Sequence, residues 1–269
     1  ITVSIVLLYC LRCLNIVNFP KLSLSVAEKV MPLPLVFFGN LLFGLGSTQA
    51  VSLPMFTVLR RFSIWLTMMG EQIFLNDKPN VKVQCSVYLM LLGAGIAASD
   101  DIAFNFHGYG LLLLNNICTA CNGIVMKRKL SSKEFNHNGL LFYNSLFILF
   151  PAITLAYMTD DFDKLRSFDK YFDTGFMFAF FFSSIMGFIL NYSTLLCTNY
   201  NSPLTTTVVG ALKNMAVTYV GMFVGGDYIY STVNFIGLNV SVFGSIVYSW
   251  VTFTRKVIPS PSIRKGSIV

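Results

Sequence analysis

The sequence predicts an all-α fold, a bundle of membrane-spanning helices, and three observations predict it. Hydrophobic residues make up 55% of the 269 positions and charged residues only 12%, whereas a soluble domain is about half apolar and a quarter charged. The apolar residues fall in blocks of about 20, the length that crosses ~30 Å of hydrocarbon at 1.5 Å per residue. The breaks between blocks are short and polar, as in N-D-K-P-N at 76–80 and N-Y-N-S-P at 199–203, which suits connections between packed helices. Runs such as Leu140 to Tyr157 are apolar on every side, which argues against the alternating pattern of a β-barrel.

Taken in order, the blocks predict nine spans, at about 1–17, 31–50, 53–75, 82–103, 108–126, 138–158, 174–198, 203–225 and 229–253. The first begins inside an apolar run (ITVSIVLLYCLRCL) with no basic stretch and no small-residue cleavage site. It reads as the remainder of a transmembrane helix and not as a signal peptide. Two C-x-x-C patterns, Cys10/Cys13 and Cys118/Cys121, lie in apolar helices without neighbouring His or carboxylate. That context favours small-residue packing over a metal site or a disulfide. The sequons at Asn191 and Asn239 fall inside spans, so both asparagines are expected to stay unglycosylated. No segment reads as a separate soluble domain, and 1–269 is taken as one transmembrane unit.

Orientation follows from the basic residues. Thirteen of them (Arg12, Lys21, Lys29, Lys78, Lys82, Lys127, Arg128, Lys129, Lys133, Arg255, Lys256, Arg264 and Lys265) lie in loops on one side. Lys164, Arg166 and Lys170 lie on the other. The richer side is expected to be cytosolic, with the tail 254–269 on it and the acidic segment Asp160–Asp173 facing the lumen or exterior. The net charge of +7 therefore reflects topology and is not read as a nucleic-acid signal.

The remaining three cations, Arg60, Arg61 and Lys213, sit inside spans. A charge at membrane depth costs roughly 2.5–3.5 kcal/mol on insertion scales, so it usually faces a wet cavity and serves a function. Lys213 is some 15 Å deep by helical rise, and its structural alternative is an ion pair with Glu71 or Asp227. Arg60 and Arg61 are consecutive and point about 100° apart, so one is expected to meet a ligand and the other a helix interface. Separated cations with few acids suit an anionic substrate, and Arg suits phosphate through bidentate hydrogen bonds. In the sixth span Phe142, Tyr143 and Asn144 place rings that can stack on a base beside an amide that can read its edge. The alternative for such rings is helix packing. Asp100, Asp101, His107 and His137 form no recognisable catalytic or metal set; no enzyme activity, cofactor or metal is expected.

The third span (S-L-P-M-F-T-V-L-R-R) and the eighth (S-P-L-T-T-T-V-V-G-A-L-K-N) are faintly alike and run in opposite directions. Leu92-Gly93-Ala94 and Phe243-Gly244-Ser245, in the spans that follow, rhyme as well. Inverted repeats around a midplane site are a common transporter plan. Five stretches carry a more specific likeness: L-P-M-F-T-V-L-R-R-F-S (53–63), G-L-L-F-Y-N-S-L (139–146), L-T-T-T-V-V-G-A-L-K-N (204–214), G-G-D-Y-I-Y (225–230) and N-F-I-G-L-N-V (234–240). With these the chain resembles nucleotide-sugar transporters, most closely the UDP-glucuronic acid/UDP-N-acetylgalactosamine type of the drug/metabolite transporter superfamily.

The resemblance implies ten helices in two inverted halves of five, exchange of cytosolic UDP-sugar for lumenal UMP, and residence in the endoplasmic reticulum or Golgi membrane. By that template the first helix and part of the second are absent here, 1–103 is the rest of the first repeat and 108–253 is the second. F-Y-N-S at 142–145 is similar to a base-recognition F-Y-N-N and implies Tyr143 and Asn144 near the nucleotide, with Ser145 departing from the pattern. G-A-L-K-N at 210–214 is similar to the G-A-L-N-K of GDP-mannose carriers with its last two residues exchanged, which implies Lys213 near phosphate but rotates it by about 100°. Thr206, Gly210 and Asn214 join the implied substrate-binding set with Arg60 and Arg61. The implied partners are UDP-sugar, UMP and the lipid bilayer, and a homodimer is compatible with the plan. The rival readings are another organic-phosphate carrier of this fold, a membrane-embedded glycosyltransferase or hydrolase, which should need essential carboxylates, and a receptor.

Overall fold

The computed structural model of the chain describes residues 1–20, 22–51, 53–99, 105–132, 136–159, 162, 166–168, 172–224 and 232–257. Among these residues the main helices are α1 (Thr2–Cys13), α2 (Leu24–Val30), α3 (Leu33–Ala50), α4 (Leu53–Leu59), α5 (Phe62–Phe74) and α6 (Val81–Ala98). The series continues with α7 (Phe106–Ser131), α8 (His137–Met158), α9 (Thr174–Tyr200), α10 (Pro203–Val224) and α11 (Thr232–Val257). Leu33–Ala50, Val81–Ala98, Phe106–Ser131, His137–Met158, Thr174–Tyr200 and the stretch Phe235–Thr254 of α11 are long and apolar enough to cross a membrane. The chain is a polytopic all-α bundle. The Asp100–Asp101 pair, most of the acidic stretch 160–171, the G-G-D-Y-I-Y motif with Asp227, and the tail from 258 lie outside the described residues.

A helix stands at each predicted span, with two differences that matter for the site. α7 runs on to Ser131, so Lys127, Arg128 and Lys129 occupy its last turns and not a loop. The third span is broken at Arg60–Arg61, between α4 and α5. There Arg61 N donates to Val58 O at 3.2 Å and Ser63 N to Arg60 O at 3.1 Å, one residue short of the α-helical pattern. The shortening frees the carbonyl of Leu59, and Asn116 Nδ2 from α7 donates to it at 3.1 Å. An unmet carbonyl in hydrocarbon costs several kcal/mol, so Asn116 makes the break tolerable.

Packing explains the rest. α6 and α11 approach until their backbones nearly touch. A Cβ on Gly93 would lie 2.5 Å from Ser241 N, and one on Gly237 would lie 2.5 Å from Ala97 N. Such small-residue contacts are how helices associate in lipid, where apolar burial gives little drive. The rhyming segments around Gly93 and Gly244 thus fall on one seam. Cys118 Sγ sits 3.4 Å from the place of a Cβ on Gly39, a packing contact between α7 and α3. The connection 18–30 contributes more than a loop: Phe19, Val26 and Val30 are buried with Leu33, Leu140 and Tyr143. Phe178, Phe180, Phe181 and Phe182 of α9 are more than half exposed, as suits a face turned to lipid.

Candidate functional site

A cavity of about 470 Å³ lies among α3, the α4–α5 break, α7, α9 and α10. The break supplies Arg60 and Arg61, and α10 supplies Thr206, Gly210, Lys213 and Asn214. Six of the eight residues singled out in the sequence therefore share one wall system. Arg60 is half-buried, with its guanidinium over the Phe56 ring at 5.5 Å from the centroid. Arg61 is 1% exposed, and its Nε, Nη1 and Nη2 are buried without a hydrogen-bond partner among the described residues. The two consecutive arginines differ in burial, Arg61 enclosed and Arg60 partly exposed. Both border the cavity, at different depths.

Lys213 is exposed to the cavity space. Glu71, one of the two acids available to it, instead accepts from Leu204 N at 2.6 Å, and Asp227 lies outside the described residues. Asn144 is 6% exposed and lines a recess of about 50 Å³. That recess shares Phe37, Asn122, Met126, Asn191 and Thr194 with the main cavity. Asn144 Oδ1 and Asn122 Oδ1 are both buried without a hydrogen-bond partner among the described residues.

Tyr143 is placed differently from the other seven. Its side chain is wholly enclosed, and its hydroxyl donates to Pro20 O. Its ring meets Phe19 edge-on at 6.0 Å, while Phe142 packs on the same Phe19 at 4.7 Å. Rings committed to the 14–20 segment are not available for stacking on a base, so that expectation is corrected: packing won over ligand contact because Phe19 offers both rings an apolar partner. The helix turn they secure still carries Asn144 to the recess.

The sequence reading missed the amides and hydroxyls that complete the wall. Asn40 of α3 accepts from Thr119 Oγ1 at 2.7 Å, and Asn122, Asn191, Thr194 and Thr207 also line the cavity. Asn191 carries a signal of its own, an amide in the middle of an apolar span. The described lining holds three cations and no carboxylate. Fixed positive charge with surrounding amides and hydroxyls can hold an anionic ligand rich in hydrogen-bonding groups, and the volume falls within the usual 300–1,000 Å³ of ligand sites.

Comparison with known proteins decides the family. Residues 1–249 match the Triose-phosphate Transporter family. The chain belongs to this family. It is 51% identical over 259 residues to the UDP-sugar transporter UST74c of Drosophila melanogaster, covering 96% of the chain and 69% of that protein. Identity to the UDP-sugar transporter sqv-7 of Caenorhabditis elegans is 50% over 255 residues, covering 94% of the chain and 78% of the relative. The nucleotide sugar transporter SLC35D2 of Homo sapiens is 43% identical over 258 residues, covering 96% of the chain and 77% of its own length. Membership of the Triose-phosphate Transporter family makes this chain a membrane transporter and not an enzyme.

Proposed function

We propose that this protein is an antiporter that exchanges a cytosolic UDP-sugar for lumenal UMP across the endoplasmic reticulum or Golgi membrane. The candidate sugars are glucuronic acid, N-acetylgalactosamine and N-acetylglucosamine. The observation that carries the reading is Arg61, enclosed in the cavity wall of a Triose-phosphate Transporter family member with no hydrogen-bond or ion-pair partner for its guanidinium among the described residues. A buried guanidinium is expensive unless paired, and a substrate diphosphate supplies the missing anion. Arg60 and Lys213 border the same space and share the charge. Asn144 faces the recess with Asn122 and Asn191 and holds the uracil end, while Tyr143 secures the helix behind it.

Exchange follows from the same charges. An emptied cavity leaves cations uncompensated in low dielectric and resists closing, so a second anion, UMP, must load before the return step. Alternating access is then rocking of two inverted halves about the site, with the basic face of the bundle cytosolic.

The test is uptake of labelled UDP-sugars by proteoliposomes holding the full-length protein and preloaded with UMP. Uptake should require internal UMP, be competed by external UMP and be indifferent to GMP. Equal uptake of simple organic phosphates would overturn the nucleotide reading in favour of a general phosphate carrier.

A further inference from the structure

At the basic end of the bundle, the turn between α9 and α10 is gripped from two sides by side chains of opposite charge. Lys127, on the last turns of α7, donates from Nζ to the carbonyl of Asn199 at 2.6 Å and to that of Asn201 at 3.1 Å. These are carbonyls at the C-terminus of α9, where a cation is favoured by the helix dipole. Glu71, on the last turn of α5, accepts from Leu204 N at 2.6 Å. That N–H opens α10, where an anion is favoured. Glu71 is 4% exposed.

The gripped turn separates two spaces. Outside it lies a second cavity of about 370 Å³, bordered by Glu71, Asp77, Lys127, Asn201 and Ser202. Inside it lies the cationic cavity. Pro203 is the residue common to both linings, and it is wedged against α7, since a Cβ on Gly123 would lie 3.2 Å from Pro203 Cβ. One turn further in, the hydroxyls of Thr67 and Thr207 approach to 3.4 Å, continuing the α5–α10 contact. The end of α9 is also held by α8, through Asn199 Nδ2 and His137 Nε2 at 2.6 Å.

We propose that Glu71 and Lys127 are positioning residues of the transport cycle, which clamp the α9–α10 turn as the gate on the basic face, closed in this structure with Pro203 as its septum. Neither residue touches substrate. Each acts through a helix terminus, and opening requires the α9–α10 turn to leave both Glu71 and Lys127. The inference rests on the carrier reading above but not on which nucleotide is carried.

The test uses the native Cys197, which lines the inner cavity, in full-length protein whose other cysteines are serine. A membrane-impermeant methanethiosulfonate is added from the basic face, and UMP exchange and the UMP concentration for half-maximal exchange are measured in parallel. Glu71→Gln and Lys127→Met should each raise the modification rate at Cys197 about tenfold. Each should lower the maximal exchange rate severalfold and leave the half-maximal concentration within about twofold. Lys127→Arg should keep the parental behaviour, because charge and donors are retained. Unchanged Cys197 modification in both variants overturns the gate, as does a raised half-maximal concentration with an intact maximal rate, which would make these residues part of the binding site. If Glu71→Gln does not fold, Lys127→Met carries the test alone. The accessibility readout needs no transport, so it stands even if the UDP-sugar reading fails.

Discussion

Arg61 and Lys213 are both cations in one cavity wall, yet their burial predicts different stability effects. Arg61 is enclosed with three nitrogens unpartnered among the described residues, so Arg61→Leu should relieve a desolvation cost. The empty protein should melt a few degrees higher, at ~2–4 °C per kcal/mol for a chain of this size. The same variant should lose exchange and the thermal shift that UMP otherwise produces. Lys213 is exposed to the cavity, so Lys213→Ala should leave melting nearly unchanged while abolishing exchange, and Lys213→Arg should retain part of it. Scanning fluorimetry with and without UMP, beside uptake, checks both residues. A fall in melting temperature of Lys213→Ala that a second change of Glu71 to Gln repairs would assign Lys213 to an ion pair.

The helices were legible in the sequence because each is an apolar block bounded by polar turns; the break in the third was not. No Pro or Gly lies between Leu59 and Phe62, and the carbonyl freed there is met by Asn116, 57 residues away. Asn116→Leu should therefore cost about 1–3 kcal/mol by orphaning the Leu59 carbonyl, seen as a lower melting temperature and weaker UMP stabilisation. Likewise the cations and the α10 motif were legible by type and spacing. Asn40, Asn122 and Asn191 were not, because a single amide in an apolar helix looks the same whether it faces a cavity, a neighbour or its own backbone. The fate of Tyr143 was hidden because its acceptor, Pro20, lies 123 residues away. On the α6–α11 seam, Gly93→Val should cost at least the 1–3 kcal/mol of an overpacked core, since the atoms in the way are backbone. Expression and thermal unfolding would report it.

For the whole molecule the charge asymmetry predicts topology: 160–173 on the lumenal face and 255–269 on the cytosolic face. Epitope tags at the two places, probed after selective permeabilisation, check this, and a protected tail with a cytosol-accessible 160–173 tag would reverse the orientation. The broken span has a further consequence during synthesis. Residues 53–75 carry two adjacent arginines inside an apolar stretch, each adverse to insertion by up to roughly 2.5–3.5 kcal/mol. The carbonyl at the break is met only once Asn116 of α7 is in place. The segment should therefore partition poorly into the bilayer by itself and dwell beside the translocation machinery until α7 arrives. A glycosylation-site reporter should show residues 53–75 crossing the membrane poorly by themselves and efficiently when residues 76–131 follow.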